Sequence, residues 1–182
     1  MKKSPARLIA FMAIAIAINY IGANIALFLR LPIYLDTIGT LLVSVVFGPW
    51  LGVGTAIISA LLSWLTTDVF ALYYAPVAII IALISGFLAK KNSRVIDLIW
   101  KSLLVSLPGT IVASSITVLL FHGITSSGSS IVAQLLHGIG LDMTTSHVLV
   151  QAGTDYLDRL LSLFIVITIS KSLIKYAPNL IK

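Results

Sequence analysis

The chain contains no cysteine and no glutamate among its 182 residues. Without thiols it has no disulfide framework, no thiolate metal site and no cysteine nucleophile, and nothing in it reports a redox compartment. Charge is also scarce, at 10% of residues against 59% hydrophobic ones, and the mean hydropathy is +1.09. That balance lies far outside the range of water-soluble domains and excludes a soluble globule. Catalytic signatures are missing as well. No GxxxxGK[ST] or HExxH segment occurs, and His122, His137 and His147 with Asp142 lack ligand spacing. Gly128-Ser129-Ser130 lies in a polar stretch with no glycine following the serine, unlike a nucleophile elbow. No enzyme activity, metal or cofactor is expected.

What the chain does contain is long apolar runs. At roughly 20 to 25 residues per crossing, its length accommodates about six spans. The expected fold is an all-α integral membrane protein, one membrane-embedded domain over residues 1–182. Helices are expected at about 6–29, 33–47, 50–66, 73–89, 98–121 and 154–176, with an outer loop segment over 122–153. The first run reads as a retained helix rather than a cleaved signal, because no small-residue cleavage site precedes a polar start. The second run is short, and fits a tilted helix, a re-entrant segment, or half of a helix kinked at Pro49.

Charge argues for six crossings. Ten of the twelve basic residues fall in three groups: Lys2, Lys3 and Arg7; Lys90, Lys91, Arg94 and Lys101; and Lys171, Lys175 and Lys182. Six crossings put all three on one side, so both termini are expected in the cytoplasm of a bacterial cell, in its cytoplasmic membrane. The net +6 is thus topology rather than a footprint for nucleic acid. Arg30 and Arg159 fall on the outer half with Asp36, Asp68, Asp142, Asp155 and Asp158, which implies a pocket opening outward.

Small residues recur at helical spacing, which lets helix backbones approach closely in lipid. Gly52, Ala56, Ser59 and Ser63 form one such stripe, Ala75, Ala78, Ala82 and Gly86 another, and Ser102, Ser106, Gly109, Ala113 and Thr117 a third; all three read as bundle contacts. Ala6, Ala10, Ala13 and Ala17 form a purer alanine face, suited either to packing or to docking another membrane helix. Among polar clusters, Gly153 to Ser162 offers Thr154 as an N-cap and Asp155 in a first turn. Asp155, Asp158, Arg159 and Ser162 share one stripe, with Asp155 to Arg159 a ready pair. Tyr34 to Thr40 sets Asp36 among an aromatic and two hydroxyls, where it caps a helix, pairs with Arg30 or Arg159, or holds a cationic or donor-rich ligand. Thr66, Thr67, Asp68, Tyr73 and Tyr74 supply acceptors and aromatic faces, or interface anchors. The segment from His122 to Gln151 has the composition of a mobile cap.

Taken in order, the basic N-terminus, the Ala-xxx-Ala face, the Phe47-Gly48-Pro49-Trp50-Leu51-Gly52 turn and the polar outer loops resemble the substrate-binding S components of energy-coupling factor (ECF) vitamin importers. LPIYLDTIGT and DYLDR are closest to the hydroxymethylpyrimidine and pyridoxine type, and Met1-Lys2 departs from the Met-His start of the metal importers. The resemblance implies capture of a small vitamin or precursor and delivery through a transmembrane T component carrying two cytoplasmic ATPase subunits. It assigns Ala6, Ala10, Ala13 and Ala17 to docking the T component, and Asn24, Tyr34, Asp36, Thr37, Tyr73, Tyr74, Gln151, Asp155 and Arg159 to the ligand. A corrinoid cargo is the main rival. A stand-alone secondary transporter, or a structural or sensory subunit binding a partner but no small molecule, are the readings of another class.

Overall fold

A computed structural model describes residues 5–88 and 94–176. Lys2, Lys3, Lys90, Lys91 and Lys182 lie outside the described residues. The chain is all-helical there: α1 Pro5–Phe28, α2 Ile38–Phe47, α3 Pro49–Thr66, α4 Ala75–Leu88, α5 Val95–Phe121, α6 Gly128–Gly138 and α7 Met143–Tyr176. Three helices, α1, α3 and α5 from Ile96, are long and apolar enough to cross a membrane. At about 1.5 Å per residue, α2 extends only about 15 Å, half a hydrocarbon core.

That short helix is the centre of the bundle. Every residue from Gly39 to Val46 is buried, because α1, α3, α4 and α7 all pack on α2. Lipid supplies no hydrophobic drive between helices, so cohesion rests on close contact at small residues. A Cβ on Gly39 would overlap the Ala15 carbonyl oxygen of α1, and one on Gly52 would overlap the Ser44 hydroxyl of α2. Gly86 meets Pro49 in the same way, with a Cβ there 2.7 Å from the Pro49 Cα. The α2 to α3 turn needs one residue, Gly48, at a φ of 109° that favours glycine, and Pro49 follows at the start of α3 where no N–H is required.

One half of the bundle is apolar. Leu41, Leu42, Val45 and Val46 pack with Ile81, Leu98, Val105, Leu163, Val166 and Ile167 from α4, α5 and α7. The Phe11 and Phe47 rings meet edge to face at 4.8 Å and mark the same level on α1 and α2. The other half collects the end of α1, the starts of α2 and α4, the ends of α3 and α5, and the first half of α7.

Several expected boundaries are corrected. Residues 33–37 are a connection rather than helix, since the N–H groups of Tyr34 and Leu35 are taken by Asp158 and Leu35 has a φ of 54°. α4 starts at Ala75 rather than 73, and α5 at Val95 rather than 98. α7 starts eleven residues before 154, at Met143, with the Asp142 carboxylate accepting from the Thr145 N–H at 3.1 Å. Thr154 is therefore no N-cap: its hydroxyl donates back to the Val150 carbonyl at 2.9 Å, and Asp155 stands well inside the helix. The loop expected over 122–153 holds α6, whose Gly128 lies against the carbonyls of Arg30 and Leu31.

The stripes on α3, α4 and α5 face other helices: Ser59, Ala82, Ser106 and Ala113 are buried. The alanine face on α1 does not; Ala6, Ala10, Ala13 and Ala17 are exposed, and the buried residues of α1 are Ala15, Asn19 and Ala26.

Candidate functional site

The site is built outward from α7. Its 3.6-residue period puts Gln151, Asp155, Asp158, Arg159 and Ser162 on one inward face, and all five are buried. The Asp155 to Arg159 pair expected from spacing does not form. The Arg159 Nη2 lies 3.1 Å from Asp158 Oδ2, and its Nη1 donates to the Thr37 hydroxyl. Asp158 Oδ1 accepts the N–H groups of Tyr34 at 3.2 Å and Leu35 at 3.0 Å. These bonds hold Leu35 in the left-handed region, which costs a β-position side chain of order 1–3 kcal/mol. The strained turn carries Asp36 into the interior, where its Oδ1 is buried and accepts no hydrogen bond.

Two further networks fix the walls. Asn19 of α1 donates to the hydroxyls of Thr40 at 2.8 Å and Ser59 at 3.0 Å, and accepts the Gly39 N–H at 2.7 Å, so one amide ties α1, α2 and α3. The Tyr34 hydroxyl donates to Gln151 Oε1 at 2.9 Å and shares a hydrogen bond with Ser129 of α6 at 2.8 Å. Gln151 Nε2 donates to Asp155 Oδ1 at 2.8 Å, and Thr110 of α5 donates to Asp155 Oδ2 at 2.7 Å. Across the site the hydroxyls of Tyr74 and Thr117 are hydrogen-bonded, and Ser126 donates to Asp68, 3.0 Å from each oxygen.

Between these walls lies a cavity of about 130 Å³. Its described lining holds three carboxylates, Asp36, Asp68 and Asp155, against one guanidinium, Arg159. Tyr34, Phe70 and Tyr74 add aromatic surface, and Ala23, Ala60 and Ala78 leave the space open. Burial pushes the phenols of Tyr34 and Tyr74 up, so both stay protonated at neutral pH. Burial also pushes the Asp36 carboxyl up to about 6; Arg159 opposes the rise, and the Asp158 and Asp155 charges add to it. The arrangement suits retention of a small polar molecule by hydrogen bonds, charge and aromatic contact.

The Tyr34 hydroxyl joins the 29–37 connection to α6 and α7, so its removal has a defined cost. Tyr34→Phe leaves Gln151 Oε1 without this donor, about 1–3 kcal/mol for a buried polar atom. A fall of roughly 2–10 °C in the thermal midpoint of the detergent-purified chain is expected, and an unchanged midpoint would show that the network is not holding the connection.

Of the nine residues expected at the ligand, Tyr34, Asp36, Thr37, Tyr74, Gln151, Asp155 and Arg159 line the cavity. Asn24 does not; its Nδ2 donates to the Tyr20 carbonyl one turn back, at 2.7 Å. Tyr73 is exposed, its ring edge-on to Phe121 at 5.2 Å. The sequence marks Asn19 only as one of the outer polar residues and reads Ser59 and Ser63 as packing residues, although all three line the cavity. An amide midway along a mostly apolar span, five residues before the second amide Asn24, was the signal available for Asn19.

With the geometry established, comparison with known proteins defines the class. A family model described as the 5TMR of 5TMR-LYT, the five-transmembrane receptor of LytS-type histidine kinases, matches residues 1–151. The chain belongs to this family and is a multi-pass membrane protein. No curated protein and no solved structure matches it.

This corrects the expectation of an ECF S component, and with it vitamin import and the partnership with a T component and two ATPase subunits. The Gly-Pro turn and the small-residue stripes that suggested that family are features of close helix packing in a small membrane bundle. The Gly48-Pro49 turn serves the α2 to α3 contact, and small residues recur wherever helices touch.

Proposed function

We propose that the chain is a membrane-embedded sensory receptor domain that binds a small polar ligand in the cavity between the 29–37 connection and α3, α4, α5 and α7, and binds it without chemical change. The observation that carries this reading is the lining itself: charged and hydrogen-bonding side chains from five helices and three connections converge on one open space. Polar groups inside a membrane bundle are costly, and their convergence is characteristic of a binding site. The family to which the chain belongs supports the sensory role.

The topology proposed with it has six crossings and both termini in the cytoplasm of a bacterial cell. Gathering of alternate helix ends at the cavity supports that arrangement, as does the basic clustering at the opposite ends. The matched residues 1–151 contain α1 to α6 and the start of α7, and most of α7 follows them. α7 carries Gln151, Asp155 and Arg159 and runs on to Tyr176, so a change at the cavity has a continuous path to the cytoplasmic end.

The test is thermal unfolding of the detergent-purified chain with a panel of small amines, carboxylates, amino acids and nucleobases. At least one class is expected to raise the midpoint in a concentration-dependent way. Ala78→Phe, which places a ring in the cavity, is expected to fold and to lose the response. Equal responses from both proteins, or none from the wild type, would overturn the reading.

A further inference from the structure

The charge distribution inside the cavity restricts what it can hold. Asp155 has both oxygens occupied, by Gln151 and Thr110, and Asp68 accepts the Phe70 N–H at Oδ1 and shares the one Ser126 hydroxyl proton between its two oxygens. Arg159 is already paired with Asp158 and bonded to Thr37. Asp36 differs: its buried Oδ1 has neither a hydrogen bond nor an ion pair among the described residues. A buried carboxylate oxygen without a partner is expensive, and in a native fold it calls for a missing donor.

We infer that the missing donor belongs to the ligand, and that the ligand is a small cationic amine with a flat apolar body, its charge meeting Asp36 and its ring lying among Tyr34, Phe70 and Tyr74. The inference rests on the binding reading above and adds the ligand's charge to it. A carboxylate or phosphate would enter a space lined by three carboxylates, with the Arg159 charge already compensated by Asp158. A neutral ring would fill the volume and leave Asp36 as it stands. An amine supplies charge-assisted hydrogen bonds to Asp36, a carboxylate of the lining with one unpartnered oxygen, and its body covers the aromatic faces.

Ionisation of Asp36 is part of the account. Burial, Asp155 and Asp158 favour its neutral form, and Arg159 favours the carboxylate. Amine affinity therefore strengthens as pH rises through about 6, where Asp36 gives up its proton, for an amine that stays protonated throughout.

Three matched probes test this: benzylamine, benzyl alcohol and benzoate, titrated at millimolar concentration against the detergent-purified chain with the thermal midpoint as readout. Benzylamine is expected to raise the midpoint most, more above pH 6 than below it, and Asp36→Asn to weaken it about tenfold or more, the loss of one charge-assisted bond. Asp36→Asn is expected to fold, because the replaced oxygen has no partner to lose; the ranking of the three probes on the wild-type chain needs no variant. A larger response to benzoate or benzyl alcohol would overturn the inference while leaving small-molecule binding intact. An undiminished benzylamine response in Asp36→Asn would remove Asp36 from it. No response to any probe would overturn the inference, and the panel described above would then show separately whether the receptor reading stands.

Discussion

Arg159→Met is expected to leave little folded protein. Arg159 is 4% exposed and its partner Asp158 is fully buried, so removing the guanidinium strands a carboxylate away from water and frees the Thr37 hydroxyl. Breaking a buried pair from one side costs about 3–5 kcal/mol, a large share of the roughly 5–15 kcal/mol typical of a folded domain. Asp158 also clamps the strained turn at Leu35, so the damage extends to the position of Asp36. Arg159→Lys keeps the charge and loses the forked geometry, and an intermediate loss is expected. Adding Asp158→Asn to Arg159→Met should recover part of the stability, because the carboxylate that Arg159 pairs is then replaced by a neutral amide. Size-exclusion profiles and thermal midpoints in detergent read all three. A normal midpoint for Arg159→Met alone would show that the pair is not structural.

Gly39→Ala is expected to be nearly as severe, although it adds a single methyl group. The added Cβ would overlap the Ala15 carbonyl oxygen and come within 2.9 Å of the Ala15 Cα, all backbone atoms that no rotamer change can move. Relief requires α1 and α2 to separate, which breaks the bond from the Gly39 N–H to Asn19 and loosens the Asn19 bonds to Thr40 and Ser59. Overpacking alone costs about 1–3 kcal/mol, and the opened network adds about 1 kcal/mol per hydrogen bond. Gly153→Ala is the control: nothing lies within 4 Å of its Cβ position, and it sits inside α7. There the same methyl group should stabilise by about 0.5–1 kcal/mol through helix propensity. Midpoints moving in the same direction for both variants would contradict the α1 to α2 contact.

Hydropathy located the membrane better than it located the helices. The apolar runs of α1, α3 and α5 were plain in the sequence, because lipid contact demands them over their whole length. α7 was placed eleven residues late: its first turns, from Met143 to Gly153, carry Thr, Ser, His and Gln, which helix geometry tolerates and a hydropathy scan does not register. α2 was placed five residues early, because Ile33, Tyr34 and Leu35 read as apolar whereas a contact from Asp158, more than a hundred residues away, holds them out of a helix. The inward face of α7 was legible from period alone, since Asp155, Asp158, Arg159 and Ser162 fit no other side of a helix. Pairing within it was not. Spacing favoured Asp155 for Arg159, but Thr110 and Gln151 take Asp155, and the guanidinium turns to Asp158. The family was misjudged for a related reason: small residues at helix contacts report packing density, which many membrane bundles share.

The central claim is that the cavity holds one small molecule, and the most direct measurement is to denature the purified chain and identify what it releases by mass spectrometry, beside Ala78→Phe purified in the same way. A small compound, positively charged at neutral pH, is expected in near-equal amount to the wild-type protein and absent from the variant. Identical spectra from the two proteins would contradict that claim.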